Sequence, residues 1–202
     1  MKRRDFLITS SIGAVATLVA GGAQAQMAMQ MPWEWTNENG LARFLKVDTD
    51  PLTDEFAKYP RCPYCGMVRQ AFSFSRHLIV YDDDAVDGTC SIRCAAVSLA
   101  LNLDRKPKTI YAGDAGSDAE VKPLVDVANA VYVIDAKLPG TMSPVSKFAY
   151  ADKAKAEAAA AVNGGTMTDF DGALRAAYMS LADDTMRTRQ MRSDKRAAAK
   201  KM

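Results

Sequence analysis

Apolar and polar side chains alternate between Phe72 and Tyr81. Phe72, Phe74, Leu78 and Val80 share one parity with Arg76, and Ser73, Ser75, His77, Ile79 and Tyr81 share the other. That period predicts a strand with one buried face and His77 on its more polar side. The acidic run Asp82-Asp83-Asp84 and then Asp87-Gly88 predict a turn. Ala95, Val97, Leu99, Leu101 and Leu103 predict a helix starting at Cys90 and ending near Asn102, with Pro107 barring much further growth. Residues 112–119 read as a Gly/Asp/Ser loop.

The second half predicts a similar succession. Ala130 to Ile134 is a β-branched strand, Pro139-Gly140 turns the chain, and Lys147 to Tyr150 is a further short strand. An alanine-rich helix runs from about Asp152 to Val162, stopped by Asn163-Gly164-Gly165. Thr166 to Phe170 predicts a strand, and Gly172 to Leu181 a final amphipathic helix. The fold class expected is α+β: two ββα-type units, each of strands followed by a helix, packed as one domain. No sequence repeat supports duplication.

The ends are of different character. Lys2-Arg3-Arg4-Asp5-Phe6-Leu7, the diluted apolar stretch from Ile8 to Ala20, and Ala23-Gln24-Ala25 together predict a twin-arginine signal peptide over residues 1–25. The apolar stretch is too short and too polar for a membrane span. No cysteine near the cleavage site could carry lipid. A soluble periplasmic protein without an integral membrane segment is therefore expected.

Residues 26–60, with Pro32, Pro51 and Pro60, read as an irregular arm, with Trp33 and Trp35 available to lie on the domain. Residues 61–184 read as the domain, and 185–202 as a basic tail, disordered or a frayed helix. The formal charge of +2 arises in the signal peptide, leaving a near-neutral mature chain that gives no reason to expect nucleic acid.

The chemistry lies in four cysteines set as two pairs, Cys62-Pro-Tyr-Cys65-Gly-Met67 and Cys90-Ser-Ile-Arg-Cys94. Cys-x-x-Cys-Gly has the form of a metal knuckle. Cys90 and Cys94 lie one helical turn apart near a helix start, where the dipole favours thiolate. Three states fit: a structural zinc site with four cysteine ligands, one or two disulfides formed after export, and an exchangeable copper(I) site. A redox Cys62–Cys65 pair would make a thiol–disulfide oxidoreductase, although no thioredoxin-like strand leads into a helix there.

Methionine favours copper(I), because thioethers select soft ions. Met67 follows the knuckle, Met142 sits in the tight loop Gly140-Thr-Met-Ser-Pro144, and His77 offers the chain's single imidazole. Met27, Met29 and Met31 alternate after the signal. Each has an ordinary structural alternative, as packing filler, hydrogen-bonded histidine or mobile end. No nucleophile motif or phosphate loop suggests catalysis.

The segments Cys62-Pro-Tyr-Cys65-Gly-Met67, Asp87-Gly-Thr-Cys90 through Cys94, Gly140-Thr-Met142-Ser-Pro144, and Phe148-Ala-Tyr-Ala-Asp152 leading into the helix that ends at Asn163-Gly-Gly165 resemble the NosL family. The family comprises periplasmic accessory proteins of nitrous oxide reductase, regarded as copper(I) chaperones. The resemblance implies an α+β fold related to the organomercury lyase architecture. It implies copper(I) ligands at Cys65, Met67, His77 and Met142, with Cys62 contributing and with Cys90 and Cys94 either joining or forming a disulfide. It further implies, as partner, apo nitrous oxide reductase or its membrane-bound maturation complex. Many members are lipoproteins, and this chain departs from them in lacking the lipid-bearing cysteine.

Overall fold

The computed structural model describes residues 45–200. The expected signal peptide over residues 1–25, the alternating methionines Met27, Met29 and Met31, and Trp33 and Trp35 lie outside the described residues. All described residues belong to one compact unit.

Two ββαβ units follow one another. In the first, β2 (His77–Tyr81) and β3 (Ala85–Thr89) form a hairpin, α2 (Ile92–Leu101) crosses back, and β4 (Pro107–Gly113) pairs on the other side of β2. β1 (Lys46–Val47) and β5 (Leu124–Asp126) extend the edges, giving the order β1-β3-β2-β4-β5. A short helix α1 (Glu55–Lys58) lies between β1 and the first cysteine pair. In the second unit, β6 (Val131–Asp135) pairs with β7 (Ser146–Tyr150), α3 (Lys153–Asn163) follows, and β8 (Thr166–Thr168) pairs on the far side of β6. The order β7-β6-β8 repeats β3-β2-β4. α4 (Phe170–Ala199) closes the fold. The α+β class and its two strand–strand–helix units stand as expected. No described helix is long and apolar enough to cross a membrane.

Local chemistry sets these elements. Asp152 caps α3 by accepting the Ala154 N–H at 2.7 Å, and Gly164 ends it at φ 78°. Ala156 and Ala160, one turn apart, are the buried residues of α3 and pack on Val133 and Tyr150. Asp169 caps α4 through the Gly172 N–H at 2.8 Å, and Ala173 and Ala177 enter the main core beside Ile79, Ile92, Ile110 and Tyr132. Small residues there let α4 approach α2 closely.

Several expectations change. Residues 72–76 are not strand: a 3-10 turn spans Gln70–Phe72, and β2 starts only at His77. Every residue of β2 is buried, because helices cover one face while Tyr59 and neighbouring chain cover the other. Ala85–Thr89, read as part of a turn, is a fully buried strand whose Asp87 is held by hydrogen bonds to side chains. β4 occupies part of the expected loop at 112–119 and begins at the proline that ends α2's reach. The arm at 45–60 contributes an edge strand and α1. The basic segment from residue 185 continues α4 to Ala199, in line with its arginine and alanine content.

A buried charge network fixes the ground beneath the site. Glu55, 6% exposed, accepts from Arg69 Nη2 at 3.1 Å and from Arg76 Nε at 2.6 Å. The Arg69 guanidinium also donates to the carbonyls of Tyr59, His77 and Thr89, tying together the ends of β2 and β3. Gly88 makes room for it. A Cβ there would lie 2.7 Å from Tyr59 Cβ and 3.0 Å from Arg69 Cζ.

Candidate metal centre

The knuckle is a tight turn closed on both sides. The Gly66 N–H donates to the Cys62 carbonyl at 2.8 Å, and the Cys62 N–H to the Met67 carbonyl at 2.9 Å. Gly66 has φ 79°, a left-handed conformation that costs glycine little. Arg61 Nη1 donates to the Gly66 carbonyl at 2.9 Å. The Tyr64 hydroxyl donates to Asp87 Oδ2, which also accepts from Ser98 at 2.6 Å, so the knuckle is braced on β3 and α2. Burial pushes the Asp87 carboxyl above its ordinary value, and its Oδ1 has no hydrogen-bond partner.

The second pair is presented by the start of α2. Ser91 is its N-cap residue, Cys90 precedes the cap and Cys94 lies in the first turn. All four sulfurs lie within 4.8 Å of one another. Cys65 Sγ is 3.2 Å from Cys90 Sγ, and Cys90 Sγ is 3.9 Å from Cys94 Sγ. Sulfurs 2.3 Å from a common tetrahedral ion would be about 3.8 Å apart, so the cluster has the dimensions of one metal site. All four cysteines are free. Cys62, Cys90 and Cys94 are buried and Cys65 is half-buried, so Cys65 is the most accessible of the four.

The thiols differ in acidity. Hydrogen bonding from the sulfurs of Cys62, Cys90 and Cys94 holds the Cys65 thiol far below the usual range. Cys90 and Cys94 are pushed up, first by their hydrogen bonds to Cys62 and Cys65, and further by burial. The helix start favours thiolate at both, but a neighbouring negative sulfur outweighs a partial dipole charge at this range. A cation among the sulfurs reverses that balance and releases protons.

Two methionines complete the surroundings. Met67 and Met142 are half-buried and pack on the cysteine cluster together with Tyr64 and Phe72. Met142 comes from the other ββαβ unit, in the loop between β6 and β7. It occupies a turn closed by the Gly140 N–H donating to Ser143 O at 3.0 Å, and it has φ 64°. The Ser75 hydroxyl donates to the Cys90 carbonyl at 2.9 Å and accepts from the Thr141 hydroxyl at 2.7 Å, so this turn is hydrogen-bonded to the cysteine loop.

The structure thus brings together Cys62, Cys65, Cys90, Cys94, Met67 and Met142. It places His77 elsewhere. The ring is 1% exposed, Nδ1–H donates to the Ser75 carbonyl at 3.0 Å, and Nε2 accepts from the Tyr132 hydroxyl at 2.9 Å. Both nitrogens are engaged, and the ring stacks at 25° on Tyr132. Burial lowers its pKa to about 4, leaving it neutral at ordinary pH. Tyr64, Asp87 and Thr141 support the site from within the segments that carry the resemblance, where nothing local marks their role, and Ser75 supports it with no sequence signal at all.

The family model for NosL matches residues 53–177. Among solved structures, the copper chaperone NosL from Shewanella denitrificans is similar at 22% identity, covering 62% of this chain and 91% of that chain with a TM-score of 0.45. No curated protein matches. The matched stretch is well over half of the sequence and contains both cysteine pairs and the methionine turn, and the chain belongs to the NosL family.

Proposed function

We propose that this protein is a periplasmic copper(I) carrier that hands its ion to an apo copper enzyme, namely nitrous oxide reductase or its membrane-bound maturation machinery. The observation that carries the reading is the convergence of four cysteine sulfurs with the flanking thioethers Met67 and Met142. Thiolate and thioether together are the donor set for a soft monovalent ion. Copper is cargo here, so the site must let it go. Cys65 is the most exposed cysteine and the most readily ionised, and Met67 and Met142 stand beside the cluster half-exposed. A partner's thiolate, imidazole or thioether arriving on that side exchanges one bond at a time. The expected twin-arginine signal would export a folded chain, and a metal bound before export would protect the thiols from oxidation.

The burial of Cys62, Cys90 and Cys94 favours a second reading, a closed structural zinc site with four thiolates. Anaerobic titration of the reduced protein with copper(I) against a chromophoric chelator separates the two. The carrier reading expects one copper(I) per chain, displacement of zinc, weaker binding in Met67→Ala and Met142→Ala, and transfer to apo nitrous oxide reductase. Tight zinc that copper(I) does not displace, with no effect of either methionine variant, overturns it.

A further inference from the structure

A cleft of about 400 Å³ opens beside the methionine flank of the cysteine cluster. Met67, Phe74 and Met142 line one wall, and Arg187, Met191 and Lys195 of α4 line the other. Positions 187, 191 and 195 recur every four residues, which puts them on one helix face. This part of α4 lies beyond the stretch that matches the family model, so the wall is a feature of this chain and not of the matched region. Arg192 Nη2 donates to the Cys65 carbonyl, fixing the helix over the site.

The charge on this wall is unbalanced. Among the described residues no carboxylate lines the cleft, and Arg187, Arg192 and Lys195 form no ion pair. Along residues 185–200 six cations stand against Asp194 alone. A cationic rim repels free metal ions and attracts anions, the reverse of what unassisted uptake or release of copper(I) calls for. Three thioethers, Met67, Met142 and Met191, line the same space.

We propose that this cleft docks an acidic segment of the partner protein. Its carboxylates pair with Arg187 and Lys195, and a soft side chain between them reaches the Met67 and Met142 side of the cluster. The inference rests on the carrier reading for its purpose, while the docking itself depends only on the cleft.

The test uses the full chain and a fluorescent acidic peptide carrying one methionine, with its Asn/Gln isostere as control, followed by anisotropy. Copper(I) stoichiometry is measured on the same samples. The acidic peptide should bind and the isostere should bind at least about tenfold more weakly. The double variant Arg187→Glu, Lys195→Glu should lose about tenfold or more in affinity for the acidic peptide while keeping wild-type copper stoichiometry. High salt should reproduce the loss. Should charge reversal impair folding, Arg187→Gln with Lys195→Gln reads the same interaction. Equal binding of both peptides, or undiminished binding by the double variant, overturns the proposal. So does tighter binding to phosphatidylglycerol vesicles than to the peptide, which would assign the cleft to a membrane. Peptide binding without copper(I) binding removes the carrier reading alone, and copper(I) binding without charge-selective peptide binding removes the docking alone.

Discussion

Acidification from pH 7 to about 4.5 should weaken this protein through His77, above the range in which Asp48 and Asp135 lose their own stabilisation. His77 is the chain's only histidine, it is 1% exposed, and both its nitrogens are hydrogen-bonded. Burial pulls its folded pKa from 6.5 to about 4, and nearby Arg69 and Arg76 add repulsion. The folded value lies below the unfolded one, so as pH falls the unfolded chain takes up the proton first. The stabilisation is therefore complete above about pH 6.5 and is lost as pH drops towards 4. At about 1.4 kcal/mol per pH unit, the gap between the two values amounts to about 3 kcal/mol. Buried Asp87, raised instead of lowered, contributes in the opposite sense, and comparison with His77→Asn cancels its effect. Urea unfolding of the reduced, metal-free protein should show a stability difference between wild type and variant that shrinks from pH 7 to about 4.5. The lone imidazole resonance should titrate near 4 in the folded state. Parallel stability curves, or an imidazole titrating near 6.5 in the folded protein, would refute the reasoning.

Removing the carboxylate at Glu55→Ala leaves Arg69 and Arg76 buried without their anion and should cost about 3–5 kcal/mol, read as a lower urea midpoint. Gly88→Ala pushes a methyl group into Tyr59 and the Arg69 guanidinium and should cost about 1–3 kcal/mol, visible as a depressed Tm. Met67→Ala and Met142→Ala should each weaken copper(I) by about tenfold or more in chelator competition, at least what loss of a supporting group costs a metal site. Met142→Ala should do so with little change in urea midpoint, since this side chain is only half-buried.

Much of this arrangement is legible in the sequence because it is written in residues with one strong preference. The stop at Gly164, the alanine face of α3 and the β-branched run of β6 act locally, and the two cysteine spacings survive any fold that closes a knuckle on a helix start. The rest depends on partners distant in sequence. Asp87 and Gly88 read as a turn, yet the strand buries them because Tyr64 and Ser98 both donate to Asp87 Oδ2 and Arg69 needs the space above the glycine. His77 reads as polar surface or ligand, and only the fold supplies Tyr132 opposite it. The Met142 turn is recognisable as a tight loop, but nothing local indicates that Thr141 will meet Ser75 and bring the thioether to the cysteines. The sequence reading ends the last helix near Leu181, whereas α4 runs on to Ala199, and the contact of Arg192 with Cys65 has no local signal either.

Met142 carries a backbone angle, φ 64°, that an L side chain adopts at a cost of about 1 kcal/mol. An engineer seeking heat resistance by relieving such angles would choose glycine at this position, and a melting curve would reward the choice. The same edit would strip the thioether that reaches the cluster from the second half of the molecule. Under the proposed carrier function, ruggedness and cargo handling therefore pull in opposite directions at one codon, and selecting variants for thermal survival alone would drift towards a sturdier protein that has lost a thioether beside its cysteines.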